Sequence, residues 1–282
     1  MTKFLNTREI QLEEKKILDE VVKFLDKNKI KYFLTYGTLI GAIRHKGFIP
    51  WDDDIDIAVP RDDYQKLVSL FKNNNLLGNN LYFHSYELGN LNMPFAKVYK
   101  HDIKVYDWRY KDKYEKYLWI DIFPIDGFPD DKIEFEKWNN KKNLIRTLIM
   151  YRKMSIKYMF EDKKKFLINI PKLISKIVLN ILPERFLSKK IVKLTEKYPY
   201  DKSKYAGCYV WSSNLGEKML KKDFEEYTKV DFEGSKYNAL KKYDKYLSQV
   251  YGDYMTLPPE EKRITHNFKA WRVDENEKEI KK

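Results

Sequence analysis

The chain has one cysteine, Cys208, in 282 residues. That excludes an intramolecular disulfide, leaves too few thiolates for a structural zinc site and implies a reducing compartment. The N-terminal stretch "MTKFLNTREIQLEEKKILDEVV" has no apolar core of the secretory type, and the sequence holds no uncharged apolar run long enough to span a bilayer. A cytoplasmic protein is expected. No internal repeat or low-complexity linker divides the chain, and its hydrophobic content of 43 % suits a globular protein with a sizeable core.

Negative charge is scarce in one place. Between Lys137 and Thr195, Lys and Arg far outnumber the three acids Glu161, Asp162 and Glu184, and the excess equals the formal net charge of the whole chain, +13. The remainder is balanced, so the basic character calls for a local explanation.

Apolar residues at three- and four-residue spacing predict a helix over 8–28, with Ile10, Ile17, Val21, Phe24 and Leu25 on its packing face. "KYFLTYGTL" reads as a strand ending at Gly37, followed by a short helix in "LIGAIRH". "DIDIAV" alternates with period two, placing Asp54 and Asp56 on one face of a strand that Pro60 ends. "RDDYQKLVSLFKN" predicts an amphipathic helix with acids at its N-terminus. Strands are expected at "LYFHSYE", "FAKVYK", "IKVYDW" and "YLWIDIF", the last stopping at Pro124, and a helix-rich region over 131–195. The order of elements points to an α/β (α+β) mixed sheet core with added helices.

The sharpest feature is "WDDDIDIAV", in which four aspartates fall within five residues. An EF-hand loop fails: Ile57 stands where the turn needs glycine, and Asp63 where a bidentate glutamate belongs. A second reading is acids solubilising a loop beside an edge strand. The third is a carboxylate pair for magnesium or manganese, since an Asp-x-Asp strand sets two carboxylates about 6–7 Å apart on one face. Two neighbours favour it. "YGT" offers a glycine for close backbone approach to phosphate, and "WIDIF" carries Asp121 as its one charge in an apolar run, where an acid is costly without a partner.

The blocks "GTLIGAIRHKGFIPWDDDIDIAVPRDDY", "FAKVY", "IDIFPIDGFP" and "YGDYMTLPPEEKRITHN" together resemble the LicD family of phosphorylcholine transferases, to which the fukutin-type transferases are related. The resemblance spans 36–267 and implies a nucleotidyltransferase fold. We accordingly divide the chain into a catalytic core over 1–136, a basic helical insertion over 137–195 and a C-terminal part, 196–282, that completes the same domain. One departure stands out: nucleotidyltransferase turns carry Gly-Gly or Gly-Ser, and here Tyr36 takes the first of these positions.

The resemblance implies metal-dependent transfer of phosphocholine, or a similar phospho-alcohol, from a CDP-activated donor to a glycan hydroxyl, releasing CMP. CDP-choline is the first donor to expect, and a teichoic acid, lipopolysaccharide or capsule precursor the acceptor. Asp54, Asp56 and Asp121 would hold Mg2+ or Mn2+, with Asp121 as third ligand or general base. Substrate contacts are expected from Gly37, Thr38, Arg44, His45, Lys46, Lys97, Arg263 and His266. For Arg44, His45 and Lys46 the competing reading is a solvated loop, and for Lys97 a lysine reaching out of a strand edge. Asp52 and Asp53 read as supporting groups outside the ligand set, and Asp126, between two prolines, as a turn residue.

In the basic segment, Phe166, Ile170, Leu173, Ile174, Ile177 and Ile181 form a helical stripe opposite Lys165, Asn169, Lys172, Lys176 and Asn180, with Pro171 interrupting. Such a helix either docks its stripe on the core or lies in an anionic membrane surface at the inner membrane face. Two alternatives to the transferase remain: a nucleotidyltransferase moving an NMP group, and a non-enzymatic basic module binding lipid or nucleic acid. The lysines alternate with apolar residues rather than with a base-stacking pattern, so no nucleic-acid partner is expected.

Overall fold

Asn6 and Glu9 form a reciprocal capping box, each side chain accepting from the other's backbone N–H, at the start of helix α1 (Thr7–Lys27). Its stripe Ile10, Ile17, Leu18, Val21 and Leu25 is buried. The computed structural model describes residues 3–111, 116–161, 166–212, 215–266 and 268–273. After α1 come β1 (Phe33–Leu34), α2 (Tyr36–Arg44), β2 (Asp56–Pro60), α3 (Arg61–Leu70), β3 (Leu76–Gly78), β4 (Leu81–His84), β5 (Ala96–Tyr106) and β6 (Tyr117–Phe128). Four helices follow: α4 (Lys132–Lys153), α5 (Ile156–Met159), α6 (Phe166–Ile181) and α7 (Phe186–Thr195). The chain closes with β7 (Tyr205–Gly207), β8 (Met219–Leu220), the hairpin β9 (Tyr227–Phe232) and β10 (Ser235–Leu240), α8 (Tyr243–Tyr251) and β11 (Lys269–Arg272).

The main sheet runs β1-β2-β6-β5-β4-β3, with β11 added to β5, and β7 and β8 continuing from the far end of β6. Only β2 and β6 are parallel; the other pairs are antiparallel. This is the mixed α/β architecture that the order of elements predicts. One contiguous core extends from Ile10 to Ala270 and takes in Ile145 and Ile149 of α4 and Ile191 of α7. Glu13 fastens α1 to the sheet through Lys100 of β5 at 2.5 Å and Arg272 of β11 at 2.6 Å.

Several local expectations are corrected. The strand before Gly37 is only two residues long, and α2 begins at Tyr36. "FAKVYK" and "IKVYDW" form one strand, β5, with an irregularity between Lys100 and Lys104. Pro124 does not end β6. The pairing with β5 stops at Ile122 and that with β7 starts at Asp126, so the proline, which lacks an N–H, falls in the gap where that edge has no partner strand. Asp126 is therefore a strand residue, and its carboxylate accepts from Arg61 at 2.6 and 2.8 Å.

Helix α6 buries Leu179 in the core but turns most of the expected aliphatic stripe outward. Leu167, Ile174, Ile177 and Ile181 are 77 %, 58 %, 59 % and 82 % exposed, whereas Asn169 and Lys176 are buried. Asn169 donates to Met159 O, and Lys176 to the carbonyls of Arg152 and Met154 at the end of α4. Those free carbonyls attract the polar side and leave the aliphatic side outward. Pro171 lies within the continuous helix, and the side chain of Phe166 is outside the described residues.

Candidate active site

The register of three neighbouring strands builds the site. Parallel pairing sets Asp56 of β2 against Asp121 of β6, and antiparallel pairing sets Lys97 of β5 against Asp121 from the other side. A row Asp56–Asp121–Lys97 thus crosses the sheet, while Ile55 and Ile57 point into the core. Lys97, 4 % exposed, lies 3.0 Å from Asp121 Oδ1 and 4.3 Å from the Trp119 ring centroid, so it is not a lysine reaching out of a strand edge. The row opens into a cavity of about 340 Å3, lined also by Asp54, His266, Arg109, Arg146 and Trp211.

The backbone around the row is held at several points. Asp56 N–H donates to Thr38 Oγ1 at 2.9 Å, Thr35 N–H to Asp56 O at 3.1 Å, and Asp121 N–H to Ile55 O at 2.9 Å. Gln11 of α1 donates to Asp52 O at 2.7 Å, which ties the aspartate loop to the first helix. A Cβ on Gly37 would stand 2.4 Å from Asp52 Oδ2, so glycine is required for the loop to pack there. Tyr36 has φ +48°, the left-handed region that favours glycine, which accounts for the glycine usual at this position of the fold. Its ring meets Phe123 edge-on, and its hydroxyl donates to Cys208 O at 2.9 Å.

Negative charge dominates the row. Burial pushes the Asp52 carboxyl up to about 8, with the adjacent Asp54 charge adding to the effect. Asp56 is raised well above the carboxylate range by burial and then by Asp54, Asp121 and Asp52. Glu14 of α1 is raised in the same way, by burial and then by Asp54, Asp53 and Asp52, and its Oε2 has no hydrogen-bond partner among the described residues. Acids crowded like this either retain protons or take up a cation.

A donor set for a cation is present. Asp53 Oδ1 accepts from the His266 backbone N–H at 3.0 Å and from its ring Nδ1 at 2.6 Å. That leaves Nε2 facing Asp54 Oδ2 at 3.6 Å. Asp52, Asp54 and His266 each offer one ligand atom, all within 4.8 Å of one another. A histidine oriented by a carboxylate on its far nitrogen is the usual arrangement of a metal-binding imidazole. The bond to Asp53, against the opposing effect of burial, raises His266 to about 9 in the cation-free state. The residues present therefore fit a divalent cation. This compact set differs from the expected Asp54, Asp56 and Asp121: Asp54 is common to both, and Asp52 joins it where the sequence reading left it outside the ligands.

Of the expected substrate contacts, Lys97 and His266 line the cavity. Gly37 and Thr38 stand behind it, against Asp52 and Asp56. Arg44, His45, Lys46 and Arg263 are not among its lining residues. Arg44 donates to Tyr254 O at 2.7 Å and to His45 Nε2 at 2.9 Å, Lys46 is exposed, and Arg263 donates to Pro258 O at 2.9 Å while lying over Trp51. Sequence reasoning missed Glu14, Arg109, Arg146 and Trp211. A signal existed for Glu14 alone: it interrupts the Ile10, Ile17, Val21 stripe at helical spacing, where a charge has no reason to be buried.

The LicD/FKTN/FKRP nucleotidyltransferase domain matches residues 29–161. Lipopolysaccharide cholinephosphotransferase LicD of Haemophilus influenzae is 32 % identical over 271 residues, 94 % of this chain and 97 % of that protein. An uncharacterised protein of Rickettsia typhi is 42 % identical over 59 residues, 20 % of this chain and 19 % of its own. Ribitol 5-phosphate transferase FKRP of Homo sapiens is 42 % identical over 43 residues, 15 % of this chain and 9 % of its own.

Proposed function

The chain belongs to the LicD family and is a transferase, and from that premise we propose that it moves phosphocholine from CDP-choline to a hydroxyl of a lipopolysaccharide-type glycan. The observation that carries the proposal is the row Asp56–Asp121–Lys97, which lines one cavity together with Asp54. The acceptor oxygen attacks the phosphorus that bears choline, the bond from that phosphorus to the bridging oxygen breaks, and CMP departs with the bridging oxygen. Asp121 receives the acceptor proton. Lys97 orients the Asp121 carboxylate and balances its charge. Asp54 and Asp56 would hold Mg2+ or Mn2+, with Asp52 and His266 completing the donor set, and the cation would neutralise charge on the diphosphate. Thr38 and Gly37 act behind the site by fixing Asp56 and Asp52.

Incubation with a panel of CDP-alcohols and glycan acceptors, with and without Mg2+ or Mn2+, tests this reading. CMP release that requires both acceptor and cation is expected. Asp54→Asn should lose more than about a hundredfold in rate, several kcal/mol of transition-state stabilisation. Pyrophosphate or a nucleotidylated acceptor as product would instead identify an NMP transferase.

We also propose that the segment over 137–195 meets an anionic lipid surface. No described helix is long and apolar enough to cross a membrane. Helix α6 nevertheless turns Leu167, Ile174, Ile177 and Ile181 outward within the segment that carries the chain's basic excess, an arrangement suited to lying in an acidic membrane interface. Binding to vesicles containing phosphatidylglycerol should fall with salt and with Ile174→Glu plus Ile177→Glu, while transfer to a soluble acceptor fragment persists. Vesicle binding that the double variant leaves unchanged would overturn the assignment.

A further inference from the structure

Four basic side chains line the cavity: Lys97, Arg109, Arg146 and Lys153. Lys97 faces Asp121, and Arg109 donates through Nε to both oxygens of Asp107 at 2.8 and 3.1 Å. Lys153 has its Nζ 3.9 Å from Met93 Sδ and 4.9 Å from the Tyr110 ring centroid. Arg146 is different. Its guanidinium carbon stands 5.3 Å from the Trp211 ring centroid, and its buried Nε has no hydrogen-bond acceptor among the described residues. Burial lowers its pKa, and no carboxylate is among the groups that raise it again.

An arginine placed over an aromatic ring uses its face for the ring and keeps its N–H edge free. Trp211 is itself held by Phe95, whose ring lies 5.6 Å away nearly edge-on, so the platform is supported from the sheet side. Arg146 comes from α4, outside the strands that supply the carboxylates, and reaches the cavity beside Tyr36 and Trp211. A buried donor without an acceptor is costly, and water, an ion or a ligand can satisfy it; in a cavity that also holds the carboxylates a ligand is the candidate. A planar fork of donors matches a phosphoryl or carboxylate group, and of the two only phosphoryl groups are expected on the donor in this cavity.

The geometry points to Arg146 as a binding residue for a phosphoryl oxyanion of the donor's diphosphate, in the same cavity as the cation-binding carboxylates. This rests on the transferase reading above. It gives α4 a place in substrate binding that the basic composition of the segment does not suggest, because this positive charge is directed into the cavity and not toward a membrane. The oxyanion has two sources under that reading, the nucleoside diphosphate donor and a phosphate on the acceptor; the donor is the assignment, since its diphosphate must lie beside Asp54 and Asp56.

The test is calorimetric binding of CDP in the presence of Mn2+, with steady-state kinetics on CDP-choline and the acceptor, for the full chain and for Arg146→Gln and Arg146→Lys. Arg146→Gln should weaken CDP binding and raise the donor KM by about 10- to 100-fold, the range of one or two charge-assisted bonds, with the acceptor KM unchanged. Arg146→Lys, which restores charge without the fork, should recover part of the loss, and methylguanidinium should rescue Arg146→Ala. Unchanged melting temperatures and Mn2+ affinity separate this from a structural role; if Arg146→Gln fails to fold, Arg146→Lys carries the test. Equal CDP affinity in wild type and folded variants would overturn the assignment while leaving the transferase reading intact. A rise in acceptor KM alone would overturn the donor as the source of the oxyanion. A wild-type protein that binds no CDP would overturn the transferase reading and this assignment with it.

Discussion

Replacing Asp56 by Asn should abolish turnover and, without a divalent cation, make the protein more stable. Asp56 and Asp121 are direct neighbours on parallel strands, which lie about 4.8 Å apart. Two carboxylates about 5 Å apart repel by roughly 3 kcal/mol at an effective dielectric constant near 20. Lys97 offsets part of this through Asp121, so a net gain of about 1–3 kcal/mol is expected, or roughly 2–5 °C in melting temperature. The sign with pH follows from linkage. The unfolded chain releases the Asp56 proton near the ordinary value of about 3.9, whereas burial and its acidic neighbours keep the proton bound to higher pH in the folded state. The folded state therefore holds more protons in that window, and wild-type stability falls as pH rises through it. Asn has no proton to lose. The two proteins should melt together near pH 4 and diverge above it when scanned in EDTA. Adding Mn2+ at about 100 times its Kd should stabilise the wild type by about 2.7 kcal/mol and the variant far less. Equal melting curves in EDTA at neutral pH, or equal cation responses, would refute the electrostatic reasoning.

Lys97→Met should destabilise by about 3–5 kcal/mol because it leaves Asp121 beside Asp56 without its cation, and adding Asp121→Asn should recover most of that in a double-mutant cycle by chemical denaturation. Recovery of less than a fifth would mean that Lys97 acts through packing on Trp119 instead. Asp126→Ala, which leaves the Arg61 guanidinium only its longer pair with Glu87 at 3.7 Å, should cost about 2–3 kcal/mol, yet leave the CDP-choline KM unchanged. A raised KM would place that ion pair in substrate binding. Gly37→Ala should displace the Asp52 carboxylate and weaken Mn2+ binding about tenfold by titration calorimetry, whereas unaltered affinity would remove Asp52 from the donor set.

Local periodicity was legible without a structure. The helix at Thr7–Lys27 and the helix after Pro60 follow from a repeat of 3.6 residues, which depends only on backbone geometry, whereas the strand expected over "DIDIAV" begins only at Asp56 and leaves Asp54 in the loop before it. The family, too, lay in contiguous blocks of sequence. Strand limits were less legible, because whether Pro124 ends β6 depends on which strands flank it and where each stops pairing.

What tertiary structure decided was the company each side chain keeps. Asp121 meets Asp56 and Lys97 through strand register, and register between distant segments is set by the packing of the whole sheet. His266 reaches Asp53 across 213 positions, and Arg146 arrives from a helix whose composition suggests a surface role. Helix α6 makes the distinction sharpest. Its amphipathic spacing is local and was plain in the sequence, but spacing says only that a helix has two faces. Which face turns inward was decided by the free carbonyls at the end of α4, which draw Lys176 in and leave the aliphatic side chains facing out.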